Sequence, residues 1–105
     1  ELVEAVKKMA KYKLDVYDYI DLMMMWYRDL LMLKVSGSPD KLLFKEEYAT
    51  LKQQANYISF EGIENVLEAM DKVKVRLDAN VNFDIAMELL LLTIKENQND
   101  RSNRS

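Results

Sequence analysis

Apolar residues recur along most of this chain at helical spacing. From Ile63 the apolar positions Val66, Met70, Val73 and Leu77 follow at intervals of 3, 4, 3 and 4, which is the seam of a helix packing at a shallow angle in a bundle. Ser59 is suited to N-capping it, so the pattern predicts a helix from there to about Ala79. Its charges follow the peptide dipole, with Glu61, Glu64 and Glu68 early and Lys72, Lys74 and Arg76 late. Asn80-Val81-Asn82 reads as a tight corner, Asn80 suited to a left-handed C-cap and Asn82 to the next N-cap. A last helix runs from Phe83 to about Lys95, and the polar tail Asn97 to Ser105, with nothing to bury, is expected to be disordered. Upstream, Leu2, Val6, Met9 and Ala10 predict a short helix to about Tyr12, and Leu14 to Val35 a long one entered at Asp15. Ser36-Gly37-Ser38-Pro39-Asp40 ends the long helix, with Asp40 or a residue soon after it capping a short segment. Glu46 to about Asn56 reads as a helix with Tyr48, Leu51 and Ala55 on one side. The expectation is one all-α domain over residues 1–96, a five-helix bundle.

Two of these helices are oversupplied with apolar surface. At about 100° per residue, Asp15, Asp18, Asp21, Arg28 and Asp29 share one arc of the long helix, and Leu22, Met25, Trp26 and Leu33 lie on or beside that arc. In the last helix Asp84, Glu88 and Lys95 make the polar stripe, and Leu91 sits on it. A helix of a small monomer keeps its solvent side polar, so spare apolar surface predicts a second packing layer or another chain.

Composition narrows the chemistry. Two glycines and one proline in 105 residues are too few for a turn-rich strand protein. With no cysteine there are no disulfides or thiolate metal sites, and with no histidine the commonest general base and transition-metal ligand is missing. A net charge of -3 gives no basic field for gripping phosphates. The apolar runs fall short of the roughly 18 to 20 residues that cross a bilayer, and no secretory signal is visible. The start without Met suggests a piece of a longer protein, so chemistry could lie elsewhere in it.

Candidate sites have plain structural readings beside them. Asp15, Asp18 and Asp21 could be imagined as a hard-cation site, but calcium loops place such residues on a turn, and a solvated helix edge is favoured. Lys7, Lys8, Lys11 and Lys13 are diluted by Glu1 and Glu4 and lack an aromatic stacking platform, which favours an ordinary exposed face over nucleic-acid contact. Trp26 and Tyr27 read as core before they read as a ligand pocket, and the methionines as adaptable core filler. Arg28 stands between two roles, an ion pair with Asp29 or another acid, and an interface anchor. No catalytic residue, cofactor site or metal site is identified. A free-standing helical regulator binding an apolar ligand is an alternative, and a pocket lined by Trp26 and the methionines would favour it.

Two segments carry a family resemblance. Trp26-Tyr27-Arg28-Asp29-Leu30-Leu31-Met32-Leu33-Lys34 resembles the W-x-R-D-L-L-x-x-K signature in the C-terminal domain of bacterial clamp-loader subunits. The stretch from Leu77 through Asn80, Asn82 and Phe83 to Leu90 is similar to that domain's closing corner and last helix, with Phe83 where the family often has proline. The resemblance spans roughly Leu14 to Lys95. It is strongest to the delta-prime branch of DNA polymerase III clamp loaders, and the gamma/tau branch shares enough of the pattern to remain open. It implies a non-catalytic collar domain that packs beside its counterparts in a hetero-oligomeric ring of clamp-loader subunits in the bacterial cytoplasm. It implies no direct nucleic-acid contact, no membrane, no cofactor and no small-molecule substrate for this domain. Joined to the helical wheels, it makes Met25, Trp26, Arg28, Asp29, Leu33 and Leu91 the expected interface residues.

Overall fold

The computed structural model describes residues 16–98. Among them the fold is all-helical, with four α-helices and no strand: α1 (Val16–Ser36), α2 (Tyr48–Ala55), α3 (Phe60–Asp78) and α4 (Phe83–Asn97). Two 3-10 turns, Pro39–Lys41 and Lys45–Glu47, link α1 to α2. The expected first helix, Leu2 to about Tyr12, lies outside the described residues, as do Asp15 and residues 99–105 of the tail.

The helix ends follow from side-chain and backbone hydrogen bonding. Gly37, at φ +71°, takes the left-handed turn that stops α1, and its N–H donates to the Leu33 carbonyl at 2.7 Å. The next cap is Ser38, not Asp40: the Ser38 hydroxyl accepts from the Asp40 N–H at 3.2 Å. The reason is Pro39, whose fixed φ suits the first position of a turn and leaves the residue before it to cap. Ser59 accepts from Gly62 N at 2.9 Å to start α3. Asn80, at φ +63°, ends it. Val81 N then donates to Arg76 O at 2.9 Å and Asn80 N to Leu77 O at 3.1 Å, the paired bonds of a Schellman turn. Asn82 accepts from Ile85 N at 3.1 Å and starts α4. The helix then runs past Lys95 to Asn97, whose side-chain amide donates to the Thr93 carbonyl at 2.8 Å.

Helix α3 is the central element. It packs against both α1 and α4, and α1 also holds α2. Its seam residues Ile63, Val66, Met70 and Val73 are fully buried, and Leu77 is half-buried at the end of the row. Val16, Ile20, Met24, Tyr27, Leu30 and Leu33 of α1 and Phe83, Ala86, Met87, Leu90 and Leu91 of α4 join them in the core, together with Leu42, Leu51, Ala55 and Ile58. Two polar struts fix the register of α1 on α3. The Tyr17 hydroxyl donates to Asp78 at 2.7 Å, and one turn on, the Lys74 ammonium pairs with Asp21. Residue numbers rise along α1 as they fall along α3, so the two helices run antiparallel.

Candidate functional site

The Trp26 to Lys34 segment lies in the second half of α1, over the 3-10 turns and α2. Three of its polar side chains are spent on one task. The indole N–H of Trp26 donates to the Gln54 side-chain oxygen at 2.8 Å, and its ring meets Phe44 with centroids 5.5 Å apart. Both carboxylate oxygens of Asp29 accept backbone N–H groups, from Leu43 at 2.9 Å and Phe44 at 2.8 Å. The Lys34 ammonium donates to the Ala55 carbonyl at 2.9 Å and lies 5.4 Å from the Phe60 ring centroid. A cation there neutralises the negative end of α2 and satisfies one of its orphan carbonyls. Together the three clasp residues 43–55 to α1. Gln54 extends the clasp, because its side chain also hydrogen-bonds the buried Tyr27 phenol. Burial pushes that phenol's pKa up, and the Gln54 bond offsets part of the rise.

This placement decides Asp29. It is only 3% exposed and is fully engaged by the two loop amides, so the Arg28–Asp29 ion pair does not form. Arg28 is exposed. Lys72 pairs with Glu68 and Lys74 with Asp21, and Arg28 is in neither pair.

The other expected interface positions separate in the same way. Met25 is 40% exposed and Trp26 half-buried, while Leu33 is buried against α2 and the groove beside it. Leu91, expected on the polar stripe of α4, is buried at 7% exposure. At about 100° per residue it sits on the margin between the core arc and Asp84, and the packing of α4 on α3 rolls that margin inward. The surplus apolar surface of α4 instead belongs to Ile85, Leu89 and Leu92, all exposed. On α1 it belongs to Leu22, Met25, Met32 and Val35. Of these seven residues, only Met25 was among the six expected from the sequence. Leu22 already lay on or beside the polar arc of the long helix, and the remaining five are apolar positions readable from the same helical wheels.

The two apolar stripes belong to different helices, α1 and α4, each of which packs on α3. The α4 stripe borders a groove of about 340 Å³ on α3, lined by Glu68, Lys72, Arg76, Leu89, Leu92 and Glu96 among others. A second groove of about 310 Å³ lies at the end of α2, where Lys34, Lys52, Tyr48 and Phe60 meet. Trp26 and the methionines line neither groove. Asp18 is exposed and Asp21 is paired with Lys74, while Asp15, the third acid of that edge, lies outside the described residues. Among the described residues no helix is long and apolar enough to cross a membrane.

No family model and no solved structure matches the chain. Among curated proteins it is similar to DNA polymerase III subunit delta′ of Bacillus subtilis (strain 168), 32% identical over 77 residues. That alignment takes in 73% of this chain and 23% of the relative, so the chain spans under a quarter of that protein's length. The similarity is therefore to a DNA polymerase III subunit of the delta-prime kind, over most of a chain whose described residues are all-helical.

Proposed function

We propose that this chain is the helical collar domain of a bacterial clamp-loader subunit of the delta-prime kind, which helps hold the loader's ring of subunits together while a sliding clamp is loaded onto DNA. The observation that carries the reading is the similarity to a delta-prime subunit over 73% of the chain. The geometry supports it. A domain of this size leaves two exposed apolar stripes, Leu22, Met25, Met32 and Val35 on α1 and Ile85, Leu89 and Leu92 on α4. A subunit set between two neighbours in a ring needs two such faces, while a two-fold dimer needs one. At about 25 cal/mol per Å² of apolar surface removed from water, several hundred Å² per neighbour gives a substantial gross gain. Much of it is offset by lost translational and side-chain freedom, so the domain alone associates weakly.

In this role the domain is mechanical and cytoplasmic, without catalysis, cofactor, small-molecule substrate or direct nucleic-acid contact. Its partners are the other clamp-loader subunits. Met25, Arg28 and the outer edge of Trp26 touch them, while Asp29, Leu33 and Leu91 support those faces from beneath. The test uses the full-length subunit mixed with its partner subunits and resolved by size exclusion. Met25→Glu and Leu92→Glu, each placing a charge on an apolar stripe, are expected to weaken ring assembly at least about tenfold. If both variants co-elute stoichiometrically with the partners at unchanged affinity, neither face is an interface and the collar reading fails.

A further inference from the structure

Arg28 is the one charged residue of the Trp26 to Lys34 segment left outside the clasp. Asp29 and Lys34 each hold a backbone group of the 43–55 region, while Arg28 points to solvent from the middle of the α1 stripe. Met25 lies three residues before it, Met32 four after and Val35 seven after, so all lie on its side of the helix. The acids that share this side do not reach it. Asp21 is taken by Lys74, and Asp18 is ten residues away, roughly 15 Å along the axis at the helical rise. Among the described residues Arg28 has no ion-pair partner, so its guanidinium is a positive charge set among exposed methionine and valine side chains.

We infer that the outer face of α1 docks an apolar helix of a neighbouring clamp-loader subunit that places a carboxylate opposite Arg28. The inference rests on the collar reading and adds to it the face used, the residue that sets register and the chemistry of the partner. An apolar stripe alone fixes neither the sliding nor the rotation of two packed helices. A single Arg–carboxylate pair within it does, because any other register leaves a charge desolvated without a partner. The methionines suit such a face, since their unbranched side chains adapt to whatever knobs the partner presents.

The test is assembly of the full-length subunit with its partner subunits, read as affinity across a salt series, with circular dichroism confirming the fold of every variant. Arg28→Gln is expected to weaken assembly at least about tenfold and to flatten its salt dependence. Arg28→Lys should recover part of the affinity, because it keeps the charge and loses the planar fork. Arg28→Glu should weaken assembly more than Arg28→Gln.

Three results would overturn the inference. If Met25→Glu weakens assembly while Arg28→Glu binds as wild type does, the face meets a partner with no carboxylate there. If the subunit alone sediments as a dimer that Arg28→Glu abolishes, the occupant is a second copy. If Leu92→Glu weakens assembly while no α1 variant does, the collar reading stands and the α1 face is not part of it. Failure of the collar reading itself looks different: the wild-type subunit does not join its partners, or no variant on either stripe changes assembly.

Discussion

Asp29→Asn tests whether this carboxylate is a structural clamp. In the native fold it is 3% exposed and accepts the Leu43 and Phe44 N–H groups at 2.9 and 2.8 Å. Asparagine has nearly the same shape but one acceptor, so its NH₂ must face one of those two N–H groups. One hydrogen bond is lost, the other becomes neutral, and two donors are set against each other. A hydrogen bond to a charged group contributes about 1.5 to 3 kcal/mol and a stranded buried donor costs about 1 to 3. Leu43 is exposed, so water relieves part of that cost, and the net loss is about 2 to 3 kcal/mol. That is a large share of the roughly 5 to 15 kcal/mol that holds a domain folded. It corresponds to a fall in melting temperature of about 10 to 20 °C at this size. The assay is a urea titration of the 105-residue chain followed by fluorescence, in which its single tryptophan reports directly on the clasp. The matched control is Arg28→Gln, which should change stability by less than about 0.5 kcal/mol because the side chain is exposed and unpaired within the described residues. An Asp29→Asn midpoint indistinguishable from wild type, or an Arg28→Gln loss as large as that of Asp29→Asn, would refute the reasoning.

Other consequences are open to similar measurement. Trp26→Phe removes the bond to Gln54 and part of the contact with Phe44, and is expected to cost about 1 to 2 kcal/mol by thermal melting followed by circular dichroism. Gly37→Ala should cost about 1 kcal/mol by the same melt. An added Cβ meets no atom within 4 Å there, so the penalty is the left-handed backbone at φ +71° alone. Ser59→Ala and Asn82→Ala each remove an N-cap and should each cost about 1 kcal/mol, and the double variant should be close to additive because the caps belong to different helices. Tyr27 gives a pH dependence. Its folded pKa is raised by burial, so the native state binds the proton more tightly than the unfolded state does. The associated stability is therefore intact below the unfolded tyrosine value of about 10 and is lost as pH rises beyond it. Urea midpoints between about pH 9 and 11 should fall more steeply for wild type than for Tyr27→Phe, and equal slopes would refute the assignment.

The pattern of local signals determined most of the fold. The spacing from Ile63 to Leu77 named the α3 seam, and Ser59, Asn80 and Asn82 named its ends and the next start, because capping depends on atoms within a few residues of each other. The surplus of apolar surface on α1 and α4 was also legible, since it is a count around one helix. Which residues make up that surplus was not. Leu91 turned inward and Ile85, Leu89 and Leu92 outward because the roll of α4 is set by how it seats on α3, which no wheel contains. The partner of Asp29 was hidden for the same reason. Its neighbour Arg28 is adjacent in sequence, yet adjacent positions on a helix point about 100° apart, and the amides that bind Asp29 come from the loop that α1 and α2 fold together. Sequence distance governs caps and periodicity, so those were readable. Tertiary packing governs roll and long-range hydrogen bonding, so only the folded chain could show that Asp29 serves the fold and leaves Arg28 at the surface.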